Sequence, residues 1–295
     1  MPFVENEFLR VEINPKGGAL KSIFDKKTNE ELLYQMDSRS WMGQDVVIFP
    51  FVASLKDRRY LADGKEYSLR NHGIIRYYEL AFKQINNNEL IMYLDSNKET
   101  LKEYPFDFHF EVIYKLEDNK LSIRYKVENT GTEVMYFSLG GHPALRVKGV
   151  ENESEFVIED TMLEFDEDIS TIRYFLNEEG NLITHVEECI IPQTLEVNKE
   201  MINEAKTLIY DSNEIDKVIM STGNRKFIFN ISEANVLAIW TLKGFGDYLC
   251  IEPWWGIPDF ENPELELKAK PLIISLEKNK EYETGYSIEF ITNTK

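Results

Sequence analysis

Cysteine is scarce in this chain: two residues of 295, Cys189 and Cys250. Secreted all-β chains of this size more often carry a disulfide framework, so a reducing compartment is expected. Long apolar runs are absent too. The longest, Val46 to Leu55, is too short to span a bilayer, and Met1 to Glu7 has neither a basic nor an apolar signal segment. The expectation is a cytoplasmic protein with no membrane partner. Positive charge is in deficit, with 33 Lys and Arg against 52 Asp and Glu and a formal net charge of -19. Nucleic-acid binding runs on clustered Lys and Arg, so no nucleic-acid partner is expected, and the acidity reads as a solvated surface. No His-x-x-x-His, paired Cys-x-x-Cys or acidic calcium loop occurs, so the spacing points to no metal.

What is present is period-two alternation. Hydrophobic residues make up 43% and are spread along the whole chain, enough for a sizeable core. Phe106, Phe108, Phe110, Val112 and Tyr114 share one strand face, and Asp107, His109, Glu111 and Ile113 share the other. Turns at Glu117 to Lys120 and Asn129 to Thr132 lead into Leu121 to Val127 and Val134 to Ser138, which predicts a three-stranded meander. Strands are also predicted at Phe8 to Ile13, Ala19 to Phe24, Tyr78 to Ile85, Glu89 to Leu94, Lys226 to Ile231, Val236 to Leu242, Tyr248 to Glu252, Leu272 to Leu276 and Tyr286 to Ile291. Met201 to Ile209 is the best helical segment. With no linker, composition break or repeat, the expectation is an all-β fold, a large antiparallel β-sandwich forming one domain over residues 1–295.

Four histidines can be weighed singly. His109 lies on the polar face of its strand and His185 in a polar stretch, and both read as surface residues. His72, in Asn71-His-Gly73, and His142, in Gly140-Gly-His-Pro143, sit beside glycine, where the backbone can approach a ligand. Each is also consistent with a turn histidine satisfied by backbone. Glu252 ends a strand before Pro253, Trp254 and Trp255. An apolar flank there would raise its pKa and poise it as a base; a structural pairing with a buried Arg or Lys is the other reading. Trp254 or Trp255 could offer a plane to a sugar, or simply pack in the core.

In order, Asn71-His-Gly-Ile-Ile-Arg76, Gly140-Gly-His-Pro143 and Cys250-Ile-Glu-Pro-Trp-Trp-Gly256 resemble the aldose 1-epimerase (galactose mutarotase) family, in its LacX-like branch. The similarity runs from the strand at Phe8 to the one ending near Ile291 and includes Phe49-Pro50 and Asp63-Gly-Lys-Glu-Tyr67. The resemblance implies the galactose mutarotase-like supersandwich, no cofactor, a small-molecule sugar substrate, and interconversion of α and β anomers. By position it makes Glu252 the base at the C1 hydroxyl and His142 the acid at the ring oxygen. His72, Arg76 and Trp254 become candidate substrate contacts. Removing one proton while adding another is what opening a hemiacetal requires, and a Glu and a His can do both.

Two positions depart from the family pattern. Ser54 stands where relatives carry a sugar-binding arginine, and Lys206 or Glu204 where an aspartate is expected. Both touch recognition. The competing readings are a carbohydrate-binding protein without turnover, an epimerase for phosphorylated or acidic sugars drawing on Lys56-Asp-Arg-Arg59, and a glycoside hydrolase using Glu252 with Asp259.

Overall fold

The computed structural model describes residues 1–151, 156–158, 160–198, 201, 207–242 and 247–292. Two antiparallel sheets dominate. One has nine strands, ordered Thr194–Glu196, Thr161–Glu164, Lys217–Thr222, Arg225–Asn230, Glu281–Thr292, Lys120–Asn129, Phe108–Glu117, Glu89–Asp95 and Ala81–Asn86. The other has eight, ordered Ile183–Ile191, Ile169–Leu176, Thr207–Asp211, Val236–Trp240, Tyr248–Trp255, Leu139–Gly141 and Val47–Ile48, with Ala144–Arg146 also paired to Tyr248–Trp255. A four-stranded sheet, Phe3–Glu5 through Glu30–Glu31, forms the N-terminal part. Among the described residues no helix is long and apolar enough to cross a membrane.

The alternation at Phe108 to Tyr114 is realised in full: Phe108, Phe110, Val112 and Tyr114 are buried, and the intervening residues are half-buried. Their core is shared with Leu249, Ile251 and Trp255 of the other sheet, where Trp255 meets Tyr125 edge-on at 5.9 Å. The two sheets therefore form the expected sandwich. Strand Tyr248–Trp255 differs from the outer strands because all eight of its residues are buried. Leu249, Ile251 and Trp255 feed the sandwich core, while Tyr248, Cys250 and Trp254 enter smaller clusters behind the sheet. A strand covered on both faces can carry a polar side chain only where a partner or cavity receives it.

Two sequence expectations are corrected. Val134 to Ser138 does not complete a meander: Met135–Phe137 pairs with Ile274–Leu276 instead. The place beside Lys120–Asn129 is taken by the C-terminal strand, in register from Lys120 opposite Glu289 to Glu128 opposite Glu281. A twelve-residue partner offers a far longer ladder than a three-residue one. The helix expected at Met201 to Ile209 is overturned at its end, since Thr207–Asp211 is a strand between Ile169–Leu176 and Val236–Trp240. Central sheet pairing decides the conformation of Thr-Leu-Ile-Tyr, whose residue types suit a pleated surface. Glu204 and Lys206 lie outside the described residues.

Asp259 is tied into the same framework. Its carboxylate receives Lys270 Nζ at 2.5 Å and the Lys56 N–H at 3.0 Å, while its own N–H donates to Ser54. Both charged side chains are essentially excluded from solvent. Removing one partner of such a pair leaves the other charge buried. Asp259→Asn is therefore expected to cost about 3–5 kcal/mol. Urea unfolding measures this; Asp259→Asn combined with Lys270→Met should recover much of it, and additive losses would refute the pairing account.

Candidate active site

His142 meets Glu252 through sheet register. Gly140 lies opposite Trp254 and Ala144 opposite Cys250, so the same register carried through the break places His142 opposite Glu252. Pro143 has no N–H to offer a ladder there. His142 Nε2 lies 3.3 Å from Glu252 Oε1, and both side chains are buried. Small residues make the approach possible: a Cβ on Gly141 would fall 2.5 Å from the Tyr286 hydroxyl. On the other side, Glu252 neighbours Ala238 of the adjacent strand.

The pair lines a cavity of about 290 Å³ that also presents Trp41, Asn71, His72, Arg76 and Trp240. This is near the lower end of small-molecule sites, roughly 300–1,000 Å³. Trp41 stacks on the His142 ring at 5.0 Å, Trp240 meets it edge-on at 5.3 Å, and His72 edge-on at 5.4 Å. Trp254 Nε1 donates to Glu252 Oε2 at 3.2 Å, so this tryptophan orients the carboxyl while lining the cavity. Trp255 points the other way, its Nε1–H bonded to the Glu233 carbonyl.

Burial dominates the electrostatics. It pushes the Glu252 carboxyl well above the usual carboxylate range, against the Trp254 hydrogen bond and with help from the Asp45 charge. Burial also pushes His142 down to about 3; the contact of the ring with its own main chain opposes this and Arg76 reinforces it. Its Nδ1 meets no other hydrogen-bond partner. Both shifts favour the uncharged forms, so the pair rests as a protonated Glu252 carboxyl beside a neutral His142 ring.

His72 is held by a reciprocal contact. Its N–H donates to the Ala53 carbonyl at 2.8 Å, and the Ala53 N–H donates to His72 Nδ1 at 3.3 Å. Nδ1 is thus an acceptor, which leaves the proton of the neutral ring on Nε2. Burial, then the proximity of His142 and Arg76, holds its pKa well below the usual histidine value. Both residues adopt left-handed backbone, with φ of 62° at His72 and 51° at Ala53. Arg76 follows in the turn Ile75–Tyr77 and makes no hydrogen bond or ion pair with a described residue; its guanidinium sits 5.4 Å from the Tyr77 ring.

Ser54 lines the cavity with its hydroxyl on Asn71 Oδ1 at 3.1 Å. The basic run beside it does not reach in: Arg58 is exposed, Arg59 pairs with Asp57 and Glu66, and Lys56 is not a lining residue. Asp259 also stays out of the cavity, leaving Glu252 as its sole carboxylate among the described residues. His185 is exposed and stacked on Phe175. His109 is half-buried rather than exposed, because Asp95 and Glu111 flank its ring. Sequence reasoning missed Trp41, Trp240 and Asp45. The Asp45 carboxyl, pushed up to about 6 by burial, accepts the Leu20 main-chain N–H at 2.8 Å, and the nearby main-chain N–H groups of Val46 and His142 hold that rise back. It also missed that His142, Cys250 and Glu252 bring potential metal-ligating atoms within 4.8 Å of one another.

The aldose 1-epimerase family profile matches residues 4–289. The chain belongs to the aldose 1-epimerase family. It is 26% identical over 298 aligned residues to the protein LacX of Lactococcus lactis subsp. lactis, covering 92% of each chain. A galactose mutarotase related enzyme from Lactobacillus acidophilus superposes with a TM-score of 0.91 at 28% identity, over 99% of this chain and 98% of that one. A galactose mutarotase-like protein from Lactobacillus casei gives the same TM-score at 24% identity, over 99% and 100%. Membership of this family makes the chain an isomerase-type enzyme with the galactose mutarotase-like fold, and it matches the resemblance carried by the three motifs.

Gly73 ties the His72 loop to the edge strand. A Cβ there would lie 2.2 Å from the Phe49 carbonyl oxygen, whereas Gly64, at nearly the same φ, faces open space. Gly73→Ala is expected to destabilise by about 1–3 kcal/mol more than Gly64→Ala. Equal losses in thermal or chemical unfolding would show that the close approach is not needed.

Proposed function

We propose that this protein is an aldose 1-epimerase in action as well as family, with Glu252 and His142 as its acid/base pair. The observation that carries the proposal is their 3.3 Å contact in the cavity of a family member. A cyclic sugar binds with its C1 hydroxyl toward Glu252 and its ring oxygen toward His142. The pair first moves its shared proton from Glu252 to His142. Glu252 then takes the C1 hydroxyl proton, the bond between C1 and the ring oxygen breaks, and His142 protonates that oxygen. The open aldehyde stands against Glu252–H and neutral His142, the protonation state in which the empty site rests. Rotation about C1–C2 and reversal of both transfers close the other anomer. No net proton is consumed, and no metal or cofactor takes part in this cycle. His72, with its Nε2–H, donates to a sugar oxygen.

The glycoside hydrolase reading is disfavoured, since it needs a second carboxylate across the bond and Asp259 is committed to Lys270. Polarimetry on freshly dissolved α-aldoses tests turnover. Glu252→Gln and His142→Asn should each lower it by about 100-fold to 10,000-fold, with His109→Asn and His185→Asn unchanged. A folded variant of either pair member with wild-type turnover would refute its role, and a wild type at the buffer rate across an aldose panel would leave only sugar binding. The pH profile has a definite sign. Because burial raises Glu252, the pair keeps its one proton from about pH 3 upward and loses it as pH rises through the Glu252 pKa, so kcat/KM should fall on the alkaline side. A profile rising through that range would contradict the one-proton scheme.

Arg76 favours a second element of the reading, a substrate bearing a negative group. It is the cation among the described lining residues and has no counter-charge among the described residues. A hexuronate or hexose phosphate would supply one. A hydrogen bond to a charged group contributes about 1.5–3 kcal/mol, so Arg76→Ala should raise KM for the acidic sugar by roughly 10-fold to 100-fold and spare plain hexose. Equal effects on both sugars would remove the acidic substrate from the account.

A further inference from the structure

Cys250 is a buried thiol beside the acid/base pair that the proton cycle leaves unused. It sits two residues before Glu252 on the same face of strand Tyr248–Trp255, opposite Ala144, and carries no disulfide. Tyr34, Ala144 and Tyr248 pack around it. Ligand atoms of His142, Cys250 and Glu252 all lie within 4.8 Å of one another. The 3.3 Å between His142 Nε2 and Glu252 Oε1 matches the edge of a tetrahedron with metal–ligand bonds of about 2.0 Å.

We propose that His142, Cys250 and Glu252 form a three-ligand site for a soft divalent cation of the zinc class, whose occupancy arrests the acid/base pair. Three protein ligands leave the fourth tetrahedral position to the cavity, which His142 and Glu252 line and which provides the entry path. A thiolate and a carboxylate neutralise the dication, so the filled site buries no net charge. The thiolate selects zinc-like ions over magnesium and calcium. Trp254 Nε1–H already holds Glu252 Oε2, which leaves Oε1 for the metal and orients it. Binding expels the Cys250 and Glu252 protons, so affinity rises with pH. The arrest follows because a metal-bound Nε2 cannot carry a proton and a metal-bound carboxylate cannot accept one. That second half rests on the epimerase reading; the site itself does not.

Cobalt(II) is the probe for the site, in a Cys189→Ser background so that Cys250 is the sole cysteine. One equivalent should give tetrahedral visible absorption with a thiolate-to-cobalt charge-transfer band in the near ultraviolet, both displaced by zinc. Cys250→Ser and Cys250→Ala should each lose the charge-transfer band and bind zinc at least about tenfold more weakly. In polarimetry, zinc should stop the wild type and chelator restore it, while Cys250→Ala keeps basal turnover and loses most of the zinc sensitivity. Absence of the band in folded protein, or unchanged zinc potency in Cys250→Ala, would overturn the proposal. An inactive protein that shows the band would sink the epimerase reading alone, and an active one without it would sink the metal site alone.

Discussion

The burial of a carboxyl group in a strand covered on both faces is the constraint around which the rest of the site is arranged. An isolated ionised carboxylate in such a place costs several kcal/mol, so Glu252 must either neutralise or find a partner. It does both: burial keeps its proton on, and His142 stands across the ladder at hydrogen-bonding distance. The same apolar surroundings that raise Glu252 lower His142, so the two groups arrive at one shared proton from opposite directions. A pair poised in this way can give one proton and take another without a net change, as anomer exchange demands.

Around that pair the fold supplies rigidity from independent sources. Trp41 and Trp240 fix the His142 ring, and Trp254 fixes the Glu252 carboxyl. The Ala53 loop sets the His72 tautomer, and the Asp259–Lys270 pair anchors that loop through Ser54 and Lys56. Two left-handed residues in mutual contact, Ala53 and His72, are strained backbone held by its surroundings, a pattern that concentrates at functional sites.

Much of the sandwich is legible in the alternation, because Phe108 to Tyr114 and its neighbours are covered on one face only. Where both faces are covered, as at Tyr248–Trp255, alternation disappears, and the strand runs three residues beyond the Glu252 end expected from pattern. Sheet order is the other blind spot: nothing local in Val134 to Ser138 says that the C-terminal strand Glu281–Thr292 will take its place. His142, His72 and Glu252 were reachable through glycine-flanked motifs and family resemblance. Trp41, Trp240, Asp45 and the Cys250 cluster were not, since their roles come from register and packing between segments far apart in the chain.

The state of the shared proton is the claim on which the mechanism turns, and nitrogen-15 NMR of histidine-labelled protein reads it directly. With no sugar bound, His142 should show the two distinct nitrogen signals of a neutral imidazole throughout pH 5 to 8, with no titration at the usual histidine value, consistent with a pKa lowered to about 3. His109 and His185 provide the internal comparison. An imidazolium signature for His142 at neutral pH, or a midpoint near 6.5, would contradict the account.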